Sequence, residues 1–104
     1  MSTERTVEHT YFLTDEDKVR VYFLRKSGKI TKFIIQYYAL ISGRWRTILR
    51  VDTCHGPAHK HTYYLRRKQY LTPLPGDLNQ VFPETKKSII ENFAKMKDNF
   101  SNKK

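Results

Sequence analysis

Two Ser-Gly dipeptides divide the middle of this chain into three segments that have the composition of β-strands. Ser27-Gly28 and Ser42-Gly43 are flanked by runs rich in β-branched and aromatic residues. Because glycine takes positive φ without a steric penalty, such dipeptides favour tight turns between antiparallel strands. The predicted strands are Val19–Arg25, Ile30–Ile41 and Arg44–Asp52.

The second and third of these segments differ in the arrangement of their apolar residues. Ile30–Ile41 is apolar on both faces, which is typical of a strand at the centre of a sheet. Arg44–Asp52 alternates, and a period of two predicts that three of its arginines share a face. The predicted faces carry Trp45, Thr47, Leu49 and Val51 on one side, and Arg44, Arg46, Ile48, Arg50 and Asp52 on the other.

The remainder of the chain predicts one further strand, an optional edge strand and a helix. His61–Arg66 has strand composition, and residues 5–14 are a candidate edge strand. From Glu84 onward the apolar residues recur at helical spacing, so residues 84–100 predict an amphipathic helix. Its predicted apolar stripe consists of Ile89, Ile90, Phe93, Ala94, Met96 and Phe100.

These elements predict a single α+β domain over residues 1–104. Hairpin connections make the sheet an antiparallel β-meander of about four strands, and the C-terminal amphipathic helix is expected to pack on one face of it. The predicted parts are an acidic N-terminal segment (1–18), the antiparallel sheet (19–66), a Pro/Gly loop (67–83), the helix (84–100) and a basic tail (101–104).

The charge of the chain is strongly positive and unevenly distributed. The formal net charge is +10, and from Val19 to Thr72 there are 12 Lys or Arg residues against one acid, Asp52. Because carboxylates are so few there, most of these cations lack internal partners, which favours a polyanionic partner. We expect nucleic acid, most simply RNA, to bind this domain.

Three of the four histidines lie within seven residues, directly after the third predicted strand. They are His55, His59 and His61, and the last two would project on the same side of an extended segment. Since histidine exchanges protons near neutral pH, a pair of imidazoles can serve as general base and general acid. With Asp52 to orient one ring, the cluster predicts metal-independent cleavage of RNA.

Cations and aromatic residues close to the histidines complete the predicted site. Arg50 and Lys60 are predicted to hold phosphate, and Tyr63 and Tyr64 to stack on unpaired bases. Further predicted phosphate-binding residues are Arg44, Arg46 and Arg66.

Other interpretations of the histidine cluster stay open. No cofactor is the primary expectation, but the three histidines with Asp52 or Cys54 supply enough ligands for zinc. The histidines would otherwise contact RNA without chemistry, or serve as structural residues of a polar loop. Cys54 is expected to be a small buried thiol. Asp52 either orients a histidine, pairs with an arginine or serves as a turn residue.

The expected compartment follows from the single cysteine and the lack of long apolar runs. One cysteine permits no intramolecular disulfide, which fits a reducing cytoplasm. The first residues lack the apolar region of a secretion signal, and no apolar run approaches the roughly 20 residues of a membrane span. We expect a cytoplasmic protein without a membrane partner, and a homodimer is left open.

Several short motifs follow one another in a recognisable order over residues 19–100. They are Gln36-Tyr37-Tyr38-Ala39, Ser42-Gly43-Arg44, Arg50-Val51-Asp52, Gly56 with His59-Lys60-His61, and a helix through Ile90-Glu91-Asn92-Phe93. In this order the chain resembles the TumE-like small toxins of prokaryotic toxin–antitoxin systems and related uncharacterised proteins. The resemblance implies a toxin-like protein that acts on RNA and has an antitoxin as its protein partner.

Residues and resemblance together predict a small basic, toxin-like endoribonuclease that needs no metal. The alternative is a non-catalytic RNA- or DNA-binding or protein-interaction module, or a zinc-binding domain. Whether the protein is an enzyme is left open by the sequence.

Overall fold

The computed structural model describes residues 4–53, 58–63, 71–74 and 76–101. Within them an antiparallel sheet is followed by one helix, and the strands lie side by side in chain order. The predicted α+β fold, a meander with a C-terminal helix packed on one face, is therefore confirmed. The elements are β1 (Glu4–Thr14), β2 (Asp17–Lys26), β3 (Lys29–Ile41), β4 (Arg44–Asp52), β5 (Ala58–Thr62), β6 (Leu71–Leu74) and α1 (Leu78–Ser101).

The two Ser-Gly dipeptides form the predicted turns. Ser27 and Gly28 have φ of 52° and 80°, and Ser42 and Gly43 have φ of 53° and 79°. Two consecutive positive φ values are the signature of a type I′ turn, whose twist matches that of the strands it joins. These turns set the register of the central hairpins, with Lys26 opposite Lys29 and Ile41 opposite Arg44.

The core lies between one face of the sheet and α1. The aromatic ring of Phe82 contacts Phe23 and Phe33 edge-on, with centroid distances of 5.1 and 5.3 Å. The predicted stripe of α1 is correct at Ile89, Phe93, Met96 and Phe100. It is wrong at Ile90, which is 47% exposed, and at Ala94, which is also exposed. The buried apolar side chains are Val19, Val21, Phe33, Ile35, Tyr37, Ala39, Ile48, Leu49, Val51, Ala58, Val81, Ile89 and Phe100.

Helix α1 begins at Leu78, six residues earlier than predicted, so residues 67–83 are not a continuous loop. Asp77 caps the helix, since its Oδ1 accepts a hydrogen bond of 3.0 Å from the amide of Asn79. Its carbonyl accepts a further bond from the amide of Val81, at 2.9 Å. Pro83 is tolerated inside the helix, and strand β6 occupies another part of the supposed loop.

The N-terminal and fourth predicted strands also differ from their predicted limits. Residues 4–14 form the edge strand β1, and Asp17 and Lys18 already belong to β2, so the segment 1–18 is not separate from the sheet. The strand predicted from His61 to Arg66 begins earlier, since β5 runs from Ala58 to Thr62, and the predicted residues 64–66 lie outside the described part of the chain. His59 is consequently a strand residue rather than a loop residue, and His61 lies in a strand as predicted.

A β-bulge in β4 changes which side chains share a face. Tyr37 lies opposite Leu49 and Tyr38 opposite Thr47, so Ile48 is an extra residue between the paired positions. The period of two is therefore interrupted at Ile48. Strict alternation would place Arg44 and Arg46 on the same face as Arg50. With the extra residue they lie on the opposite face, and Trp45 shares the face of Arg50 and Asp52 instead.

The face of the sheet opposite to α1 is covered by no described element and is called the helix-free face here. The cross-strand register assigns alternate residues of each strand to it. Among its residues are Glu8, Phe12, Lys18, Arg20, Tyr22, Lys32, Ile34, Gln36, Tyr38, Trp45, Arg50, Asp52, His59 and His61. Within the described part of the chain, no helix is long and apolar enough to cross a membrane.

Candidate functional site on the helix-free face

Four polar residues of β4 and β5 form two directly opposed cross-strand pairs. Arg50 lies opposite His61, and Asp52 lies opposite His59. Since opposed residues of an antiparallel pair project to the same side, all four side chains lie on the helix-free face. We call these residues the histidine quartet. The prediction that His59 and His61 share a side is confirmed.

Asp52 is the charged centre of the quartet. Its Oδ2 lies 2.7 Å from Nε of Arg50 and 3.5 Å from Nε2 of His61. The Asp52 side chain is only 4% exposed, whereas those of His61 and Arg50 are 24% and 34% exposed. A buried carboxylate thus holds two partly exposed groups that a ligand can reach.

The two histidines differ in the surroundings of their ring nitrogens. Nε2 of His61 faces Asp52, so its Nδ1 is the nitrogen directed elsewhere. Nδ1 of His59 is buried and has no hydrogen-bond partner among the described residues. The ring of Tyr63 lies parallel to that of His61 at a centroid distance of 6.4 Å, and its stacking on unpaired bases stays a prediction.

Two shallow grooves lie next to the quartet on the helix-free face. One of about 290 Å³ is lined by Tyr22, Lys32, Ile34 and Thr53, and one of about 230 Å³ by Arg20, Gln36 and Glu8 as well as Tyr22 and Ile34. Both grooves adjoin the quartet, because Ile34 is paired with Asp52 and Gln36 with Arg50.

Three predicted phosphate-binding residues lie on the other side of the sheet from the quartet. Lys60 is opposite Val51 and lines a cavity of about 230 Å³ beneath α1, so its predicted place beside the histidines is wrong. Arg46 lies opposite Ala39, and its guanidinium is 5.4 Å from the ring centroid of Phe100 in α1. Arg44, opposite Ile41, shares that side, so the bulge separates both arginines from Arg50.

The remaining predicted site residues lie outside the described part of the chain. These are His55, Tyr64 and Arg66, and Cys54 with its expected burial is in the same position. Within the described residues, no group of three or more His, Cys, Asp or Glu side chains is arranged to hold a metal ion. The zinc alternative involving His55 and Cys54 therefore concerns residues beyond this description.

A second cluster on the helix-free face was missed by the sequence analysis. It consists of Phe12, Lys18, Tyr38 and Trp45, in which the ammonium of Lys18 lies 4.1 Å from the ring centroid of Trp45. The sequence placed Trp45 on the same face as Leu49 and Val51, and the bulge at Ile48 reverses that. No pattern in the sequence alone signals a bulge at this isoleucine.

Comparison with known proteins assigns a family and no activity. The chain belongs to the family described as a domain of unknown function (DUF7718), whose model matches residues 1–104. No curated protein and no solved structure matches the chain. The resemblance to TumE-like toxins and the antitoxin partner that it implies stay predictions.

Proposed function

We propose that the protein binds single-stranded RNA across the helix-free face and cleaves it at the histidine quartet without a metal ion. The observation that carries this proposal is the convergence of Arg50, Asp52, His59 and His61 on one accessible face. Two imidazoles, a cation and an orienting carboxylate are the groups that RNA transesterification requires. A reducing cytoplasm that contains RNA is the compartment we propose for it.

The proposed reaction is an attack of the ribose 2′-oxygen on the adjacent phosphorus. One imidazole accepts the 2′-hydroxyl proton, and the other donates a proton to the 5′-oxygen as the bond from phosphorus to that oxygen breaks. The products carry a 2′,3′-cyclic phosphate and a 5′-hydroxyl. The Arg50 guanidinium is positioned by Asp52 at 2.7 Å and would stabilise the charge that develops on the phosphorane.

The charge of the helix-free face supports RNA as the ligand. Lys18 and Lys32 form no salt bridge with any described residue. Glu8 forms an ion pair with Arg20 at 2.7 Å, and Asp52 forms one with Arg50 at 2.7 Å. The cations of this face therefore outnumber its free carboxylates. A phosphate backbone lying in the grooves beside Arg20 and Lys32 would be drawn to them.

The test is incubation of end-labelled RNA with the pure protein in EDTA, followed by analysis of the product ends. We expect cleavage with 2′,3′-cyclic phosphate ends, and a loss of about 100-fold or more in the variants His59→Ala and His61→Ala. His9→Ala is the matched control, because His9 lies on the exposed strand β1 and away from the quartet. Cleavage that survives in both quartet variants would refute the proposal.

A non-catalytic binding module is the second candidate. It is favoured by the short ion pair between Arg50 and Asp52, since a pair of this kind also serves to neutralise a buried carboxylate without any chemistry. RNA that binds with a steep salt dependence and stays intact, with or without added divalent ions, would select this candidate.

A further inference from the structure

An exposed aromatic cluster lies at the other end of the helix-free face from the histidine quartet. Phe12 is 63% exposed and Trp45 is 38% exposed, and their rings meet edge-on at a centroid distance of 6.1 Å. Large aromatic side chains that lie together on a surface usually mark a binding site rather than a folding requirement. The histidine quartet does not include these residues.

The cluster is assembled by the register of four strands. Lys18 of β2 lies opposite both Phe12 of β1 and Tyr38 of β3, and Trp45 of β4 lies opposite Leu40 of β3. The ammonium of Lys18 is 5.5 Å from the ring centroid of Tyr38 and 4.1 Å from that of Trp45. The three aromatic side chains therefore form one surface, and the Lys18 ammonium lies over it.

We infer that Trp45 and Phe12 form a nucleobase-stacking subsite, and that Lys18 binds the phosphate next to the stacked base. This inference rests on the proposed RNA-binding function and identifies where the strand is held. A base that stacks on the Trp45 ring takes the position of the Lys18 ammonium, which then moves to the adjacent phosphate. Stacking on aromatic rings accepts any base, so this subsite supplies affinity without sequence preference.

The subsite is continuous with the histidine quartet along β3 and β4. The hydroxyl of Tyr38 donates a hydrogen bond of 2.8 Å to Oε1 of Gln36, and Gln36 lies opposite Arg50. Because Ile48 is an extra residue, Trp45 and Arg50 lie opposite Leu40 and Gln36, which are four residues apart on β3 and so separated by about 13 Å. A short single strand can therefore occupy both places at once.

Charge favours a nucleic acid over an apolar partner at this position. Lys18 makes no salt bridge with a described residue, and the ion pairs of this face involve Arg20, Arg50 and His61 instead. An apolar protein surface placed over the cluster would bury this ammonium without a counter-ion. A strand of nucleic acid supplies a base that stacks on the aromatic rings and a phosphate that pairs with the Lys18 ammonium.

The test uses the intrinsic fluorescence of Trp45, the single tryptophan of the chain. The probe is a 2′-O-methyl RNA of about eight nucleotides, which lacks the attacking hydroxyl and so binds without being cleaved. We expect this probe to quench the fluorescence, and an abasic oligonucleotide of equal length to bind without quenching. The variant Trp45→Ala should weaken binding about tenfold, as measured by anisotropy of a labelled probe, while Trp45→Phe retains most of the affinity.

The controls separate failure of this subsite from failure of the proposed function. Asn92→Ala is the control for Trp45→Ala, because Asn92 is an exposed residue of α1 on the other side of the sheet, and it should leave the affinity unchanged. Binding without quenching, with equal affinities for wild type and Trp45→Ala, would overturn the subsite and leave RNA binding intact. Absence of any binding or cleavage would overturn both. Phe12→Ala provides a second test, expected to weaken binding in the same direction.

Discussion

The hydroxyl of Tyr37 donates a hydrogen bond of 2.6 Å to Oδ1 of Asp17 within the layer between the sheet and α1. Both side chains are buried, and Oδ2 of Asp17 accepts a second bond of 2.5 Å from the hydroxyl of Thr14. Lys97 of α1 approaches the same carboxylate at 3.9 Å. Asp17 therefore ties the first hairpin to the central strand and to the helix.

We expect Tyr37→Phe to lower the free energy of unfolding by about 1–3 kcal/mol, because it leaves a buried carboxylate without one of its donors. Tyr22→Phe is the matched control, since Tyr22 lies on the helix-free face and lines a groove there, and it should change stability by less than about 0.5 kcal/mol. Urea denaturation of the three proteins measures both effects. Equal losses in the two variants would contradict a special role for the Asp17 contact.

The same contact predicts a pH dependence on the alkaline side. Burial, and then the hydrogen bond to Asp17, raise the pKa of Tyr37 well above its ordinary value. In the unfolded chain this tyrosine ionises near pH 10, whereas in the folded chain it stays protonated. Its contribution to stability is therefore complete below pH about 10 and is lost progressively as the pH rises further.

Denaturation of the wild type and Tyr37→Phe at a series of pH values measures this dependence. The difference in unfolding free energy between them should be constant up to pH about 10 and narrow above it. A difference that does not change up to the alkaline limit of folding would show that the hydroxyl is not held in its protonated form.

The turn between β3 and β4 predicts one stabilising and one destabilising substitution. Ser42 adopts φ of 53°, which asparagine tolerates better than serine, so Ser42→Asn should stabilise the protein by up to about 0.5 kcal/mol. Gly43 has φ of 79°, and a Cβ there meets no neighbour but is strained by the backbone, so Gly43→Ala should destabilise by about 1 kcal/mol. Thermal denaturation resolves the two signs, and a loss in both variants would argue against the type I′ turn.

The sequence predicted those parts of the fold that depend on local chemistry. The Ser-Gly turns and the composition of the strands determine the two central hairpins, and β4 has the predicted limits, Arg44–Asp52. Edge strand β1 is supported by its partner β2 rather than by its own pattern, so its existence depends on tertiary contacts. The fold class was therefore accessible, and the number of strands was not.

The candidate site could be predicted only in part because a bulge carries no clear sequence signature. His59 and His61 share a face with Asp52 for the simple reason that β5 pairs with β4. The extra residue at Ile48 moves Arg44, Arg46 and Trp45 to other faces than a strict alternation assigns to them. The aromatic cluster could therefore not be predicted without the strand register.

The N-terminal cap of α1 predicts that the stability of the fold depends on pH in the acid range. The hydrogen bond from the amide of Asn79, followed by that from its side chain, lowers the pKa of Asp77. A carboxylate with a depressed pKa stabilises the fold above pH about 4 and loses that contribution as the pH falls through the folded value. The stability difference between wild type and Asp77→Ala should therefore be largest near neutrality and vanish in acid.

Asp77→Asn is the control for this prediction, because its side-chain oxygen still caps the helix but does not titrate. Thermal melts of the three proteins across the acid range provide the measurement. We expect the advantage of Asp77→Asn over Asp77→Ala to persist where that of the wild type has disappeared. Parallel curves for the wild type and Asp77→Asn would mean that the charge of Asp77 contributes nothing to the cap.

Because of the bulge at Ile48, two arginines of one strand lie on opposite faces of the sheet, so one can serve as the control for the other in tests of RNA binding. Arg50 lies on the helix-free face beside Asp52, and Arg46 lies on the other side against Phe100. Each substitution by alanine removes one positive charge, so any difference between them reports the face rather than the net charge. For an uncleavable single strand, each phosphate contact adds roughly 0.7 to the slope of log affinity against log salt.

We expect Arg50→Ala to weaken binding and to reduce that slope by roughly 0.7, and Arg46→Ala to leave the slope unchanged. Arg50→Lys should retain the slope, because it keeps the charge, and this variant separates a lost phosphate contact from a disturbed Asp52. Affinity titrations of the four proteins over a range of salt concentrations provide the measurement. Equal reductions in Arg46→Ala and Arg50→Ala would mean that RNA is attracted by the whole charge of the protein and has no preference for the helix-free face.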